Sequence, residues 1–201
     1  YGSKQNPGNE NSTIKYPSNQ SLYLKSKLHA QEEIDAYGKS NSVITIHPTF
    51  MIGALDYGPS SGKIILMAMK KIVFCPPGGK NFVHVKDVAN ACISAIESNN
   101  HGANYIIGNE NLSYYEFFNL IQKKHNRKSI IIRIPSFVFY IMGLLGNVFR
   151  FIGIKTELSL ANMKILMINN YFKNDKSLKE LNLKYSPTEK AINDAVNFFR
   201  S

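Results

Sequence analysis

Cysteine, arginine and long apolar runs are all scarce in this chain, and each scarcity narrows what the chain can be. Only two cysteines occur in 201 residues, Cys75 and Cys92. They lack C-x-x-C spacing, so neither a zinc site nor a dithiol redox pair is indicated, and a reducing, cytoplasmic compartment is expected. No apolar run reaches the roughly twenty residues that a bilayer-spanning helix needs. The amino terminus shows no basic segment followed by an apolar one, as a secretory leader would. Internal repeats are absent. There is also no G-x-G-x-x-G or G-x-x-G-x-x-G run, the strand-to-helix turn whose backbone amides approach a pyrophosphate closely.

What the chain does have is lysine. The formal charge is +10, from 24 cations against 14 carboxylates. The cations are scattered rather than gathered in one stripe, and no recognition motif accompanies them, so nucleic acid is not an expected partner. The densest patch, Lys123, Lys124, His125, Arg127 and Lys128, falls where a helix should end, and cations there complement the exposed carbonyls. With 44% hydrophobic residues the chain can bury a core as one domain or large subdomain.

Residues 1–20, rich in Asn, Ser, Gly and Pro, read as a loop segment. From Ser21 to Tyr37 the sequence is free of Gly and Pro and closes at Gly38, which predicts a helix. A β-branched run from Ser42 to Ile46 predicts a buried strand ended by Pro48. The Gly- and Ser-rich stretch IGALDYGPSSG then reads as a functional loop. A short helix over Lys63–Lys71 and two strands around the turn residues Pro76 to Gly79 follow, and Asp87 is expected to open the next helix, with His84 packed at a strand end. NYIIG reads as a strand, and Ser113 with Glu116 forms a capping box for a helix through Lys124. SIIIRI is a further strand. The apolar stretch from Pro135 to Phe149 is too short to span a bilayer and is expected to be a buried or lid helix, with a membrane-surface anchor as the alternative. The tail predicts two amphipathic helices separated by Pro187. Strand and helix alternate, which indicates an α/β fold with a largely parallel sheet.

Tyr23 and Lys27, four residues apart, share one face of the first helix. A phenol titrating near 10 is a poor acid or base at neutral pH, but an adjacent ammonium stabilises the phenolate. Such a tyrosine can exchange a proton with a substrate hydroxyl or carbonyl while hydride moves at a nicotinamide ring. About one Tyr-x-x-x-Lys match is expected by chance at this composition, so the pair takes its weight from its context.

That context is an ordered set of landmarks. Tyr23 and Lys27 are followed by HPTFMIG from His47 to Gly53, then DYGPSSG, then FVHVKDV from Phe82 to Val88, and finally LKELNLKYSPTEKAINDAVNFF. From about Tyr1 to Phe199 the chain resembles the carboxyl-terminal part of an extended short-chain dehydrogenase/reductase. PTFMIG and PSSG are most similar to the dihydroflavonol-reductase and 3β-hydroxysteroid-dehydrogenase branch. The resemblance implies the carboxyl-terminal part of a Rossmann-like doubly wound parallel sheet plus a small, mostly helical substrate or lid region. Residues 21–110 would complete the Rossmann-like part, with a substrate loop over 53–80, and 111–201 would form the lid region with one returning strand.

The same resemblance implies an NAD(P)-dependent oxidoreductase acting on an apolar small molecule. Tyr23 would be the acid/base, Lys27 its activator and ribose anchor, Pro48 and Thr49 would lie near the nicotinamide end, and Ser60 or Ser61 would touch the cofactor from the following loop. NADP and NAD are both open, since the discriminating residue and the family's upstream Ser or Thr are expected to precede Tyr1. A homodimer through the Tyr23 helix is a further implication. Two rival readings stand beside this one. A nucleotide-sugar epimerase or dehydratase should bring an arginine to the diphosphate, yet only Arg127, Arg133, Arg150 and Arg200 are present. The other rival is a non-catalytic binding fragment of the same fold.

Overall fold

The computed structural model describes residues 2–12, 22–58, 61–125, 128–156 and 158–201. In chain order the elements are α1 (Leu22–Gly38), β1 (Thr45–Pro48), β2 (Phe50–Ile52), α2 (Lys63–Ala68), β3 (Ile72–Cys75), β4 (Gly79–His84), α3 (Val85–Glu97), β5 (Asn104–Ile107), β6 (Glu110–Ser113) and α4 (Tyr114–Lys124). They continue with β7 (Ile130–Arg133), α5 (Ser136–Phe151), α6 (Leu160–Met167), β8 (Asn169–Asn170), α7 (Asp175–Glu180) and α8 (Thr188–Arg200). Ser60 and the start of the first predicted helix, Ser21, lie outside the described residues.

Among the described residues the pairing is mostly parallel. β1 pairs with β5, β2 with β4, β3 with β7 and β4 with β8 in parallel, and β6 lies antiparallel to β4. The result is a mixed α/β fold with parallel sheets, as the alternation of elements requires. The strands on either side of Pro76 to Gly79 do not form a hairpin. They diverge, β3 joining β7 and β4 joining β2 and β6. The carboxyl-terminal part holds β6 and β8 as well as the one returning strand read from the sequence.

β4 is buried at every position, the condition of a strand covered on both faces. On one side Phe82 stacks on Phe117 of α4, ring centroids 4.1 Å apart and interplanar angle 4°. Ile52, Ile65 and Ile192 complete that cluster. On the other side Val83 packs with Ala91, Tyr105 and Ile107. The covering helices show the expected spacing. α4 buries Tyr114, Phe117, Phe118 and Ile121, and α8 buries Thr188, Ala191, Ile192, Ala195 and Val196, the i, i+3, i+4, i+7 stripe of an amphipathic helix. Ser113 and Glu116 form the capping box in full.

Two helices depart from this pattern. No described side chain of α1 is buried. α5, expected as a buried or lid helix, is buried on one face only: Gly143 and Gly146 let the start of α6 and the residues before it approach so closely that a Cβ at Gly146 would collide with the Leu158 carbonyl. The rest of its circumference carries large exposed apolar side chains.

Candidate functional site

Two cavities mark the carboxyl ends and flank of the sheets. The first, about 410 Å³, lies where parallel β1 and β5 end and is walled by His47, Pro48, Thr49 and Ile106, with Gln31 and Asp35 of α1 opposite. Crevices outside the carboxyl ends of parallel strands are where open α/β sheets hold ligands. Thr49 is fixed there by its backbone, whose N–H donates to the Ile107 carbonyl at 2.9 Å. Its hydroxyl donates to Asn81 Oδ1 at 2.8 Å. Asn81 is 2% exposed and donates in turn to Asn111 Oδ1 at 2.7 Å. Gly108 completes the arrangement, since a Cβ there would press on Asn81 and Thr49. Glu10 reaches in from the amino-terminal segment and accepts the Ile106 N–H at 3.0 Å.

The second cavity, about 620 Å³, opens between α2, β3, α5 and α6. Phe50, Ile64, Met67, Phe74, Phe139 and Leu166 give it an apolar wall, with Ser61, Lys63 and Tyr114 as its polar points. Burial pushes the Tyr114 hydroxyl above its ordinary value, so it remains a neutral hydrogen-bonding group across the working pH range. Cys75 lies at the base of this region, its thiol raised by burial to about 11 and therefore unreactive.

The sequence-derived candidates separate in space. Pro48 and Thr49 wall the first cavity and Ser61 the second, while Ser60 lies outside the described residues. Tyr23 and Lys27 are neighbours, the ammonium 5.7 Å from the ring centroid. They stand in solvent, with Tyr23 68% exposed, and neither is among the lining residues of these two cavities. Gln31 and Asp35, one and two steps further along the i+4 ridge from Lys27, are the α1 residues that do.

His84 packs at the end of β4 and Asp87 lies in the first turn of α3, as expected, but the capping hydrogen bond comes from His84. His84 Nδ1 accepts the Lys86 N–H at 2.9 Å and so caps α3. Nε2 must then carry the proton, which it donates to Asp194 Oδ2 at 3.1 Å. Burial alone would raise the Asp194 carboxyl, but the hydrogen bonds from Lys86 and His84 outweigh it and hold it below its usual value. Asp87 is buried inside α3 and accepts both the N–H and the hydroxyl of Ser186, at 2.7 and 3.1 Å. His84 thus ties α8 to the sheet, and Asp87 ties the segment before α8 to α3. Sequence reasoning did not single out Asn81, Gly108 or Glu10, because their roles depend on partners 27 to 96 positions away. Among the described residues no group of three or more His, Cys, Asp or Glu side chains could hold a metal, and no helix is long and apolar enough to cross a membrane.

Comparison with solved structures places the same architecture in a known setting. gox2253 is 25% identical, with a TM-score of 0.79 over 96% of this chain and 60% of that one. PA4631, a nucleoside-diphosphate-sugar epimerase from Pseudomonas aeruginosa, is 17% identical, with a TM-score of 0.71 over 100% of this chain and 63% of that one. UDP-glucose-4-epimerase from Stenotrophomonas maltophila, solved with NAD and formylated UDP-arabinopyranose, is 16% identical, with a TM-score of 0.65 over 96% and 58%. The chain thus spans about 60% of the length of gox2253. No curated protein matches the sequence. The model of the NAD dependent epimerase/dehydratase family matches residues 1–108, more than half of the chain, and the protein belongs to that family.

Proposed function

We propose that the protein is an NAD(P)-dependent oxidoreductase of the extended short-chain type, similar to the dihydroflavonol-reductase and 3β-hydroxysteroid-dehydrogenase branch. It transfers hydride to or from a hydroxyl or carbonyl of an apolar small molecule. The observation that carries this reading is the apolar wall of the second cavity, beside the loop that contains Ser61. A site of that size and lining suits a hydrophobic skeleton with one polar point.

In this reading the first cavity takes the nicotinamide end of the cofactor, which as NAD or NADP supplies or accepts the hydride when bound. The crevice at the ends of the parallel strands fits that end of the molecule. The sequence offers no glycine-rich turn for the pyrophosphate. Pro48 and Thr49 bound the ring pocket, Lys27 holds the ribose, and Tyr23 moves the proton. Ser60 or Ser61 bridges from the loop. Residues 21–110 then form the cofactor side with the substrate loop over 53–80 inserted, and 111–201 form the substrate-binding or lid region.

A nucleotide-sugar epimerase is the second reading, favoured by solved neighbours of that description. Against it, the second cavity shows no arginine among its described lining residues, where Lys63 is the one cation. Arg133 stacks its guanidinium 3.6 Å from the Tyr115 ring centroid instead.

Tyr23→Phe in the full gene product tests the assignment. Turnover should fall by about 10²-fold or more, the usual contribution of a positioned acid/base, with nicotinamide binding retained. Unchanged turnover removes Tyr23 from the chemistry, and a wild type without turnover favours a binding protein. Product analysis separates the two enzymatic readings, since a reductase changes the substrate's oxidation state and an epimerase leaves it unchanged.

A further inference from the structure

We propose that the outer face of α5 docks on the surface of an anionic lipid bilayer, lying in the headgroup plane rather than crossing it. Phe137, Tyr140, Ile141, Leu144, Leu145 and Val148 are all exposed. Their spacing of 3, 4, 7, 8 and 11 residues places them on one broad stripe, opposite the Gly143 and Gly146 face packed on α6. The stripe runs through the last turn to Phe151, which is 92% exposed. A helix of this length presents an apolar ridge about 24 Å long. Apolar patches of such extent on a water-soluble surface mark interaction sites.

Charge decides the occupant. Between residues 117 and 174 the sequence carries nine Lys or Arg and a single carboxylate, Glu157, so eight of the ten excess positive charges sit on the part of the chain that holds this ridge. No charged residue falls between Arg133 and Arg150. The cations nearest in sequence, Arg133 and Arg150, therefore lie at the two ends of the ridge instead of interrupting it, a distribution that suits an interfacial helix. A second copy of the chain would bring the same positive surface against this one, which like-charge repulsion opposes. Among the described residues no helix can span a bilayer, so the contact is a surface one. The inner edge of the same helix, through Val138 and Met142, lines the apolar cavity, so docking would set that cavity beside the membrane. The inference does not depend on which reaction the protein catalyses.

The test is co-sedimentation of the folded full gene product with vesicles of phosphatidylcholine, alone or mixed with phosphatidylglycerol. Binding to the mixed vesicles is expected, weakening as salt screens the charges. Leu144→Asp with Leu145→Asp should reduce it by roughly tenfold or more. Both positions are exposed, so the fold should survive, and circular dichroism checks this. A second variant, Lys128→Glu with Lys155→Glu, leaves the ridge intact and should abolish the preference for the anionic vesicles. Failure of the wild type to sediment with mixed vesicles overturns the proposal, as does equal sedimentation of the Leu144 and Leu145 variant. A wild-type dimer that this variant dissociates, without vesicle binding by either, would assign the face to self-association and likewise overturn it.

Discussion

Lys80 places an ammonium among buried side chains, 8% exposed, with the Ile165 carbonyl at the hydrogen-bond limit of 3.5 Å. Burial lowers its titration from 10.5 to about 8. Below pH 8 the folded and unfolded chains both carry the proton, and the folded one bears the desolvation cost. As pH rises above 8 the folded chain releases the proton while the unfolded chain keeps it, so stability rises. The window closes near pH 9, where the raised Cys75 thiol starts to act in the opposite sense, because the unfolded thiol ionises first. We predict that urea unfolding between pH 8 and 9 shows stability increasing by about 1 kcal/mol per pH unit or somewhat less. Lys80→Met should flatten that slope, and a slope unchanged by the substitution would assign it to other groups. Lysine on a strand reads as an edge residue from sequence alone, since burial of this one is decided by β8 and α6, which fold over it from 80 to 90 positions away.

At the scale of the element, α5 and α6 hold together through what they lack. Adding one methyl at Gly146 forces a side chain onto the Leu158 carbonyl. Gly146→Ala is expected to destabilise by about 1–3 kcal/mol, since overpacking outweighs the gain in helix propensity. Thermal unfolding measures it, and a stabilised variant would show that the two helices separate freely. The elements that were legible beforehand are those with a local signal. α4 announced itself through Ser113, Glu116 and the spacing of its buried aromatics, and α8 through its five buried positions. β6 has the sequence ENLS, polar and without alternation, and exists because Asn111 and Leu112 find partners on β4. α6 is apolar almost all round, so no period distinguished it. α5 showed its apolar content in the sequence but not the sidedness of its burial, which only the seat of α6 determines. The Tyr23 helix was equally legible as an element, while its relation to Pro48 and Thr49 was not.

The whole molecule depends on polar contacts between distant segments as much as on its two apolar clusters. Asn81 joins three of these segments. It accepts from Thr49 and donates to Asn111 at 2.7 Å and to the Phe172 carbonyl at 3.3 Å. Asn111 holds Phe172 through both its N–H and its carbonyl, each at 3.0 Å. Asn81→Ala leaves buried partners unsatisfied and should cost about 1–3 kcal/mol. It should also speed proteolysis near residues 169–174, and an unchanged cleavage rate would mean that β8 pairing alone secures that segment.

Thr49 also interrupts what is otherwise a single run of extended chain. Pro48, the last residue of β1, borders one cavity, and Phe50, the first of β2, borders the other. Two residues of strand correspond to about 7 Å, so the backbone acts as a ruler that sets the spacing between the contents of the two cavities. Neither can be enlarged by lengthening this ruler. One inserted residue would turn every following side chain of β2 to the opposite face, moving Phe50 off its wall and Ile52 out of the core. Variation in the shape of the two cavities is thereby confined to the surrounding loops and helices, and the distance between them along this strand stays constant.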